Sequence, residues 1–147
     1  MGESLSRESG NIDVFLASTL ESVDDAEDLV LRAAGVSGLG EDELQRLGMA
    51  VREAVVNAVV HGNRYSSHKK VHLEVVKDAN RIIVSVGDQG NGFDIKSVPD
   101  PLSEEHLLEQ SGRGILLIRA FVDDFQIRRL APSGTEVRLV KYLRRNA

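Results

Sequence analysis

No cysteine occurs anywhere in the 147 residues, which removes disulfide frameworks, thiolate metal sites and cysteine nucleophiles together. Long apolar runs are missing as well. Nothing approaches the ~18 residues that cross a bilayer, and the N-terminal MGESLSRESG lacks the apolar core of a secretion signal. Gly2 follows Met1, but so short a match is weak ground for a myristoyl anchor. The expected location is the cytoplasm. A basic field is absent too: net charge is −5 and the pI is near 5.4, the wrong sign for a general nucleic-acid binder. Cations do crowd the last third, at Arg128, Arg129, Arg138, Lys141, Arg144 and Arg145. An acidic partner would suit them, although a solvated strand face and a frayed tail account for them more simply.

What remains is one domain of ordinary size. At this length roughly 68–70% of the unfolded surface is buried on folding, so no staple is needed. Residues 1–11 form a polar tail expected to be disordered, and residues 12–143 form the domain. IDVFLAS from Ile12 reads as a strand, and residues 23–34 as a helix with Asp24 and Asp25 at its positive end. A second helix runs from Glu41 to His61. Its apolar residues Leu44, Leu47, Val51, Val55, Ala58 and Val59 recur at steps of three and four, and Gly62 with Asn63 stops it. Val56 and Val60 lie off that stripe, toward a second layer or a partner.

Two hairpin-linked strands follow, KKVHLEVVKD and RIIVSVGD, then a loop from Gly87 to Pro101 and a short helical piece over residues 104–109. A helix over residues 113–121 and two closing strands, DFQIRRL and TEVRLVKYL, complete the chain. Hairpin-linked strands with helices available for one face imply an α+β, two-layer sandwich with a mixed, mostly antiparallel sheet.

Three segments carry candidate chemistry. On the long helix Glu53 and Asn57 stand four apart and so share a face at the edge of the apolar stripe. A carboxylate and an amide oxygen there are hard ligands suited to a magnesium–phosphate unit. Helix-edge pairs of this kind are common without function. The loop DQGNGFD places Asp88 at a strand end, with Gly90 and Gly92 allowing close backbone approach. An ordinary glycine turn has the same composition. A calcium loop through Asp88, Asn91 and Asp94 lacks the terminal glutamate and flanking helices of that motif. In SGRGILLI, Gly112 and Gly114 bracket Arg113 before an apolar helix, whose N-terminal amides form an anion site. No Lys-Ser/Thr follows, so this is no Walker loop.

The order and spacing of these pieces, with a late Gly-Thr between strands, resemble the Bergerat ATP-binding fold of gyrase, heat-shock chaperone, histidine-kinase and mismatch-repair ATPases, the GHKL superfamily. Within it EAVVNAVVHGN, GRGILLIRAFVDDF and GTEVRLVKYL are similar to the bacterial anti-sigma-factor serine kinases of sporulation and general stress. The resemblance implies a homodimeric kinase that binds ATP and Mg2+, phosphorylates a serine of a small antagonist protein and sequesters a sigma factor. It implies Glu53 as general base and Asn57 as magnesium ligand. Asp88 would accept from the adenine amino group, with Gly90 and Gly92 packing on the base. Gly112, Arg113 and Gly114 would meet the phosphates under a lid of residues 93–111, and Thr135 would support the adenine end. Arg113 points equally well to solvent. His61 borders the same helix face or satisfies helix-end carbonyls.

Two other functions fit less well. One is an ATP-dependent regulator that binds a partner without phosphorylating it. The other is a histidine-kinase catalytic domain lacking its phospho-acceptor domain; about 40 residues precede the long helix, too few beside a strand and a helix for a phospho-accepting hairpin.

Overall fold

Alternation of apolar and polar side chains sets the sheet. In a computed structural model describing residues 11–36, 38–90 and 114–143, the strands are β1 (Ile12–Ala17), β2 (Lys70–Lys77), β3 (Arg81–Gly87), β4 (Asp124–Arg129) and β5 (Thr135–Tyr142). They assemble in the order β1-β2-β3-β5-β4, and all four pairings are antiparallel. Val71, Leu73 and Val75 of β2 face the core beside Val84 and Val86 of β3, with Leu73 opposite Val86 and Val75 opposite Val84. Their neighbours His72, Glu74 and Val76 point to the other face.

Among the described residues three α-helices cover the core face: α1 (Glu21–Gly35), α2 (Glu41–Val56) and α3 (Gly114–Phe121). α2 lies between the other two and packs on both. The stripe read from the sequence is its buried side: Leu47, Val51, Val55 and Val59 are fully buried, Ala58 nearly so, and Leu44 packs at the margin. Val56 and Val60 are partly buried against the same core. Arg52 ties α2 to α1 through Asp24 (2.7 Å) and Glu27 (2.9 Å).

The long helix departs from expectation at its end. Regular α-helix stops at Val56, and Asn57–Gly62 form a wider π-helical turn in which Asn63 N–H reaches back to Ala58 O (2.7 Å). Such turns are rare and concentrate at functional sites. The apolar spacing does not announce it, because Ala58 and Val59 still fall on the core side.

Among the described residues, Arg128, Arg138 and Lys141 each lie beside carboxylates. Arg128 Nε donates to Glu136 (2.8 Å), and Arg138 approaches the same carboxylate. Lys141 is buried: its Nζ lies 3.1 Å from Glu43 at the start of α2 and 3.5 Å from Asp123 between α3 and β4. Removing a buried cation strands its carboxylates, so Lys141→Met should cost about 3 kcal/mol, the low end for buried pairs because both carboxylates are partly solvated. Urea denaturation checks this; a loss within ~0.5 kcal/mol would mean the triad is electrostatically idle. Arg144 and Arg145 lie outside the described residues.

Candidate functional site

The site is assembled where α2 runs out. Glu53 and Asn57 occupy successive turns on one edge of the helix, both half-buried. The Asn57 amide nitrogen is enclosed and has no hydrogen-bond partner among the described residues. A buried amide without a partner is destabilising unless something else supplies one.

At the far end of the π turn the helix meets the loop after β3. Asp88 is 9% exposed. Its backbone N–H donates to Thr135 O (2.9 Å), extending the pairing of β3 with β5 by one residue. Its carboxylate Oδ1 accepts from Gly90 N–H (2.9 Å) and from Thr135 N–H (3.2 Å). Burial pushes the carboxyl above its ordinary range; the two N–H groups and the Lys69 charge pull the other way and only partly compensate. Oδ1 is thus doubly engaged, and Oδ2 packs toward Gly62.

Glycine is required here for space. A Cβ on Gly62 would overlap the Asp88 carboxylate, and one on Gly90 would overlap the Gly62 carbonyl. The helical segment ends at Gly62 as expected, and Gly62 also lets Asp88 sit against the helix. The left-handed turn out of the helix is made by Arg64 (φ 51°) and Tyr65 (φ 60°), two residues that seldom adopt it. Gly62→Ala should therefore displace Asp88 and cost about 1–3 kcal/mol. A thermal melt checks the cost, and an unchanged midpoint would contradict this packing.

Asn63, read from the sequence only as a helix stop, is a buried polar hub at 1% exposure. Its amide NH2 donates to Ser18 Oγ (2.9 Å) and Lys70 O (3.0 Å), and its Oδ1 accepts from Gln89 N–H (2.7 Å). It thus ties the ends of β1 and β2 to the residue after Asp88. A polar residue directly after an apolar helix was the only signal in the sequence, and helix capping explains such a residue equally well.

The structure thus brings Asp88, Gly90 and Thr135 together against the turn that follows Glu53 and Asn57. Thr135 contributes through its backbone. Gly114 opens α3, which packs on α2. His61 is exposed on the π turn. Gly92, Asn91, Asp94, Gly112, Arg113, the lid of residues 93–111, the helical piece over 104–109 and the tail to residue 10 lie outside the described residues.

Among the described residues no group of three or more His, Cys, Asp or Glu is placed to hold a metal by itself. A lone carboxylate and a lone amide on one helix edge fit a different case, a magnesium ion carried in on phosphate oxygens and held by one or two protein oxygens.

Residues 16–141 match the model of the histidine kinase-like ATPase domain, and the chain belongs to that family. A domain of this family implies ATP binding. More particularly, the chain is similar to the anti-sigma F factor of Oceanobacillus iheyensis, 35% identical over 104 residues that cover 69% of this chain and 71% of that protein. It is similar to the anti-sigma F factor of Bacillus subtilis at 34% identity with the same coverage. Its fold is like that of the RsbU and RsbW domains of a Mycobacterium tuberculosis protein, with TM-score 0.67 and 20% identity over 93% of this chain and 33% of that one. It is also like a chain of the SiaB–SiaC complex from Pseudomonas aeruginosa, with TM-score 0.68 and 12% identity over 94% and 95% of the two chains. No helix among the described residues is long and apolar enough to cross a membrane.

Proposed function

We propose that the protein is an ATP-dependent serine kinase of the anti-sigma type, which phosphorylates a small antagonist protein and, in the absence of that antagonist's competition, sequesters a sigma factor. The observation that carries the proposal is the buried Asp88 carboxylate, lodged against Gly62 at the end of the helix that bears Glu53 and Asn57. Likeness to two anti-sigma F factors supports the choice of partner class.

In this proposal Asp88 Oδ2 accepts from the adenine amino group, and guanine, which offers an acceptor at that place, is repelled. Gly90 and Gly92 let the loop pack on the base, and Thr135 holds Asp88 from the facing strand. Gly112, Arg113 and Gly114 surround the phosphates. Asn57 would hold Mg2+ through its amide oxygen, and the ion would supply charge neutralisation for the triphosphate. Glu53 takes the proton of the serine hydroxyl as that oxygen attacks the γ-phosphorus and the bond to ADP breaks. Phosphoryl transfer depends on positioning and charge neutralisation more than on covalent help, and this set of groups supplies both. The domain extends over residues 12–143, with residues 1–11 as a tail, and the protein is a cytoplasmic homodimer.

The test is incubation with γ-labelled ATP, Mg2+ and candidate antagonist proteins. Label on a serine of the antagonist is expected. ATP-dependent capture of a sigma factor with no label transferred would leave a partner-binding regulator instead.

A further inference from the structure

We propose that Asn63 is a positioning residue that sets nucleotide selectivity by fixing where Asp88 faces, an inference that rests on the nucleotide reading of the site. The Asn63 side chain makes its hydrogen bonds to Ser18, Lys70 and Gln89. It acts through its neighbours, and their chemistry dictates which way its amide points.

Ser18 Oγ donates its one proton to Lys69 O at 2.6 Å, because a carbonyl oxygen only accepts. Ser18 must then accept from Asn63. Lys70 O likewise only accepts, and Gln89 N–H only donates. The NH2 group of Asn63 therefore faces Ser18 and Lys70, and its oxygen faces Gln89. Both amide hydrogens and the amide oxygen are engaged, inside a site with almost no exposure. A second link runs beside it, as Lys70 N–H donates to Gln89 Oε1 (2.6 Å).

Gln89 lies between Asp88 and Gly90, and Gly90 N–H is one of the two donors on the Asp88 carboxylate. Holding Gln89 at its N–H and at its side chain holds the peptide units on either side of it. The space is tight: Gly62 and Gly90 are in contact, and the Asp88 carboxylate rests on Gly62. A small rotation of the loop would turn Asp88 Oδ2 away from the base without unfolding anything. The same residue begins the exit through the left-handed Arg64 and Tyr65, a backbone path that persists only where its surroundings over-determine it.

The discriminating variant is isosteric. Asn63→Asp preserves shape but sets an oxygen against Lys70 O, a conflict that no rotation of the Ser18 hydroxyl relieves. Ser18→Ala is a milder second variant that removes one acceptor and keeps the Asn63 side chain. The readout is the ratio of ATP to GTP dissociation constants in the full chain with Mg2+, measured beside the urea midpoint. Asn63→Asp should reduce the ratio at least about tenfold, in line with loss of a buried charge-accepting contact, and Ser18→Ala several-fold. A merely structural residue would lower the midpoint and leave the ratio alone. Should Asn63→Asp not fold, Ser18→Ala decides. An ATP-selective wild type with folded variants of unchanged ratio would overturn the role of Asn63 alone, whereas a wild type that takes up no ATP would overturn the nucleotide reading together with it.

Discussion

Replacing Glu53 by glutamine should lower phosphoryl transfer by about 100-fold to 10,000-fold, the usual worth of a positioned general base, while ATP affinity changes no more than about twofold. The substitution keeps size and hydrogen-bonding reach and removes only the capacity to take a proton. Glu53 is half-buried on the helix edge, one turn before Asn57, and forms no part of the buried stripe of Leu47, Val51 and Val55. The fold should therefore tolerate the change. Single-turnover transfer of label from ATP to the antagonist separates chemistry from binding. An unchanged rate would remove Glu53 from the mechanism, and a weakened ATP affinity with unchanged turnover would make it a binding residue.

Asp88→Asn should have opposite effects on binding and on stability. The new amide retains an oxygen for Gly90 and Thr135 N–H and turns an NH2 toward the adenine amino group, donor against donor. Losing a charged hydrogen bond of ~1.5–3 kcal/mol weakens ATP binding by about 10-fold to 150-fold, and preference over GTP collapses. The unliganded protein should be no less stable at neutral pH, because a carboxylate destabilised by burial has been removed. A variant that loses both stability and affinity would show that Asp88 is structural.

The pH dependence follows from the same burial. The native carboxyl of Asp88 is raised above its ordinary value of 3.8, so between that value and the raised one the native state holds more of this proton than the unfolded state does. The contribution of Asp88 to stability is thus greatest below 3.8 and declines as pH rises through the raised value. Nucleotide selectivity moves the other way. Protonation turns Oδ2 from an acceptor into a donor, so the preference for ATP over GTP should fade as acid is added through that window.

How far the sequence reached depended on whether a feature is periodic. The stripe on α2 and the alternation along β2 and β3 are repeats of burial, and they located the core and the sheet. Spacing placed Glu53 and Asn57 on one helix edge and Asp88 at a strand end, while the roles proposed for them came from the family resemblance. The π turn was not, since Asn57–Gly62 keeps apolar residues on the core side whichever hydrogen-bond pattern it adopts. The reason for Gly62 was hidden too, because its neighbour in space is Asp88, remote in the chain. Lys141 looked like one of several solvated cations, and its burial comes from Glu43 and Asp123 on other elements. Asn63 has the composition of a helix stop and the contacts of a clamp, and only the strands folded around it distinguish the two.

Calorimetric titration of the wild-type chain with ATP and with GTP, each with Mg2+, tests the account at its centre. Saturable uptake of ATP with one site per chain is expected, tighter than GTP by at least about tenfold, as the Asp88 contact requires. Equal affinity for the two nucleotides, or no uptake by folded protein, would contradict the assignment of Asp88 as the group that recognises the base.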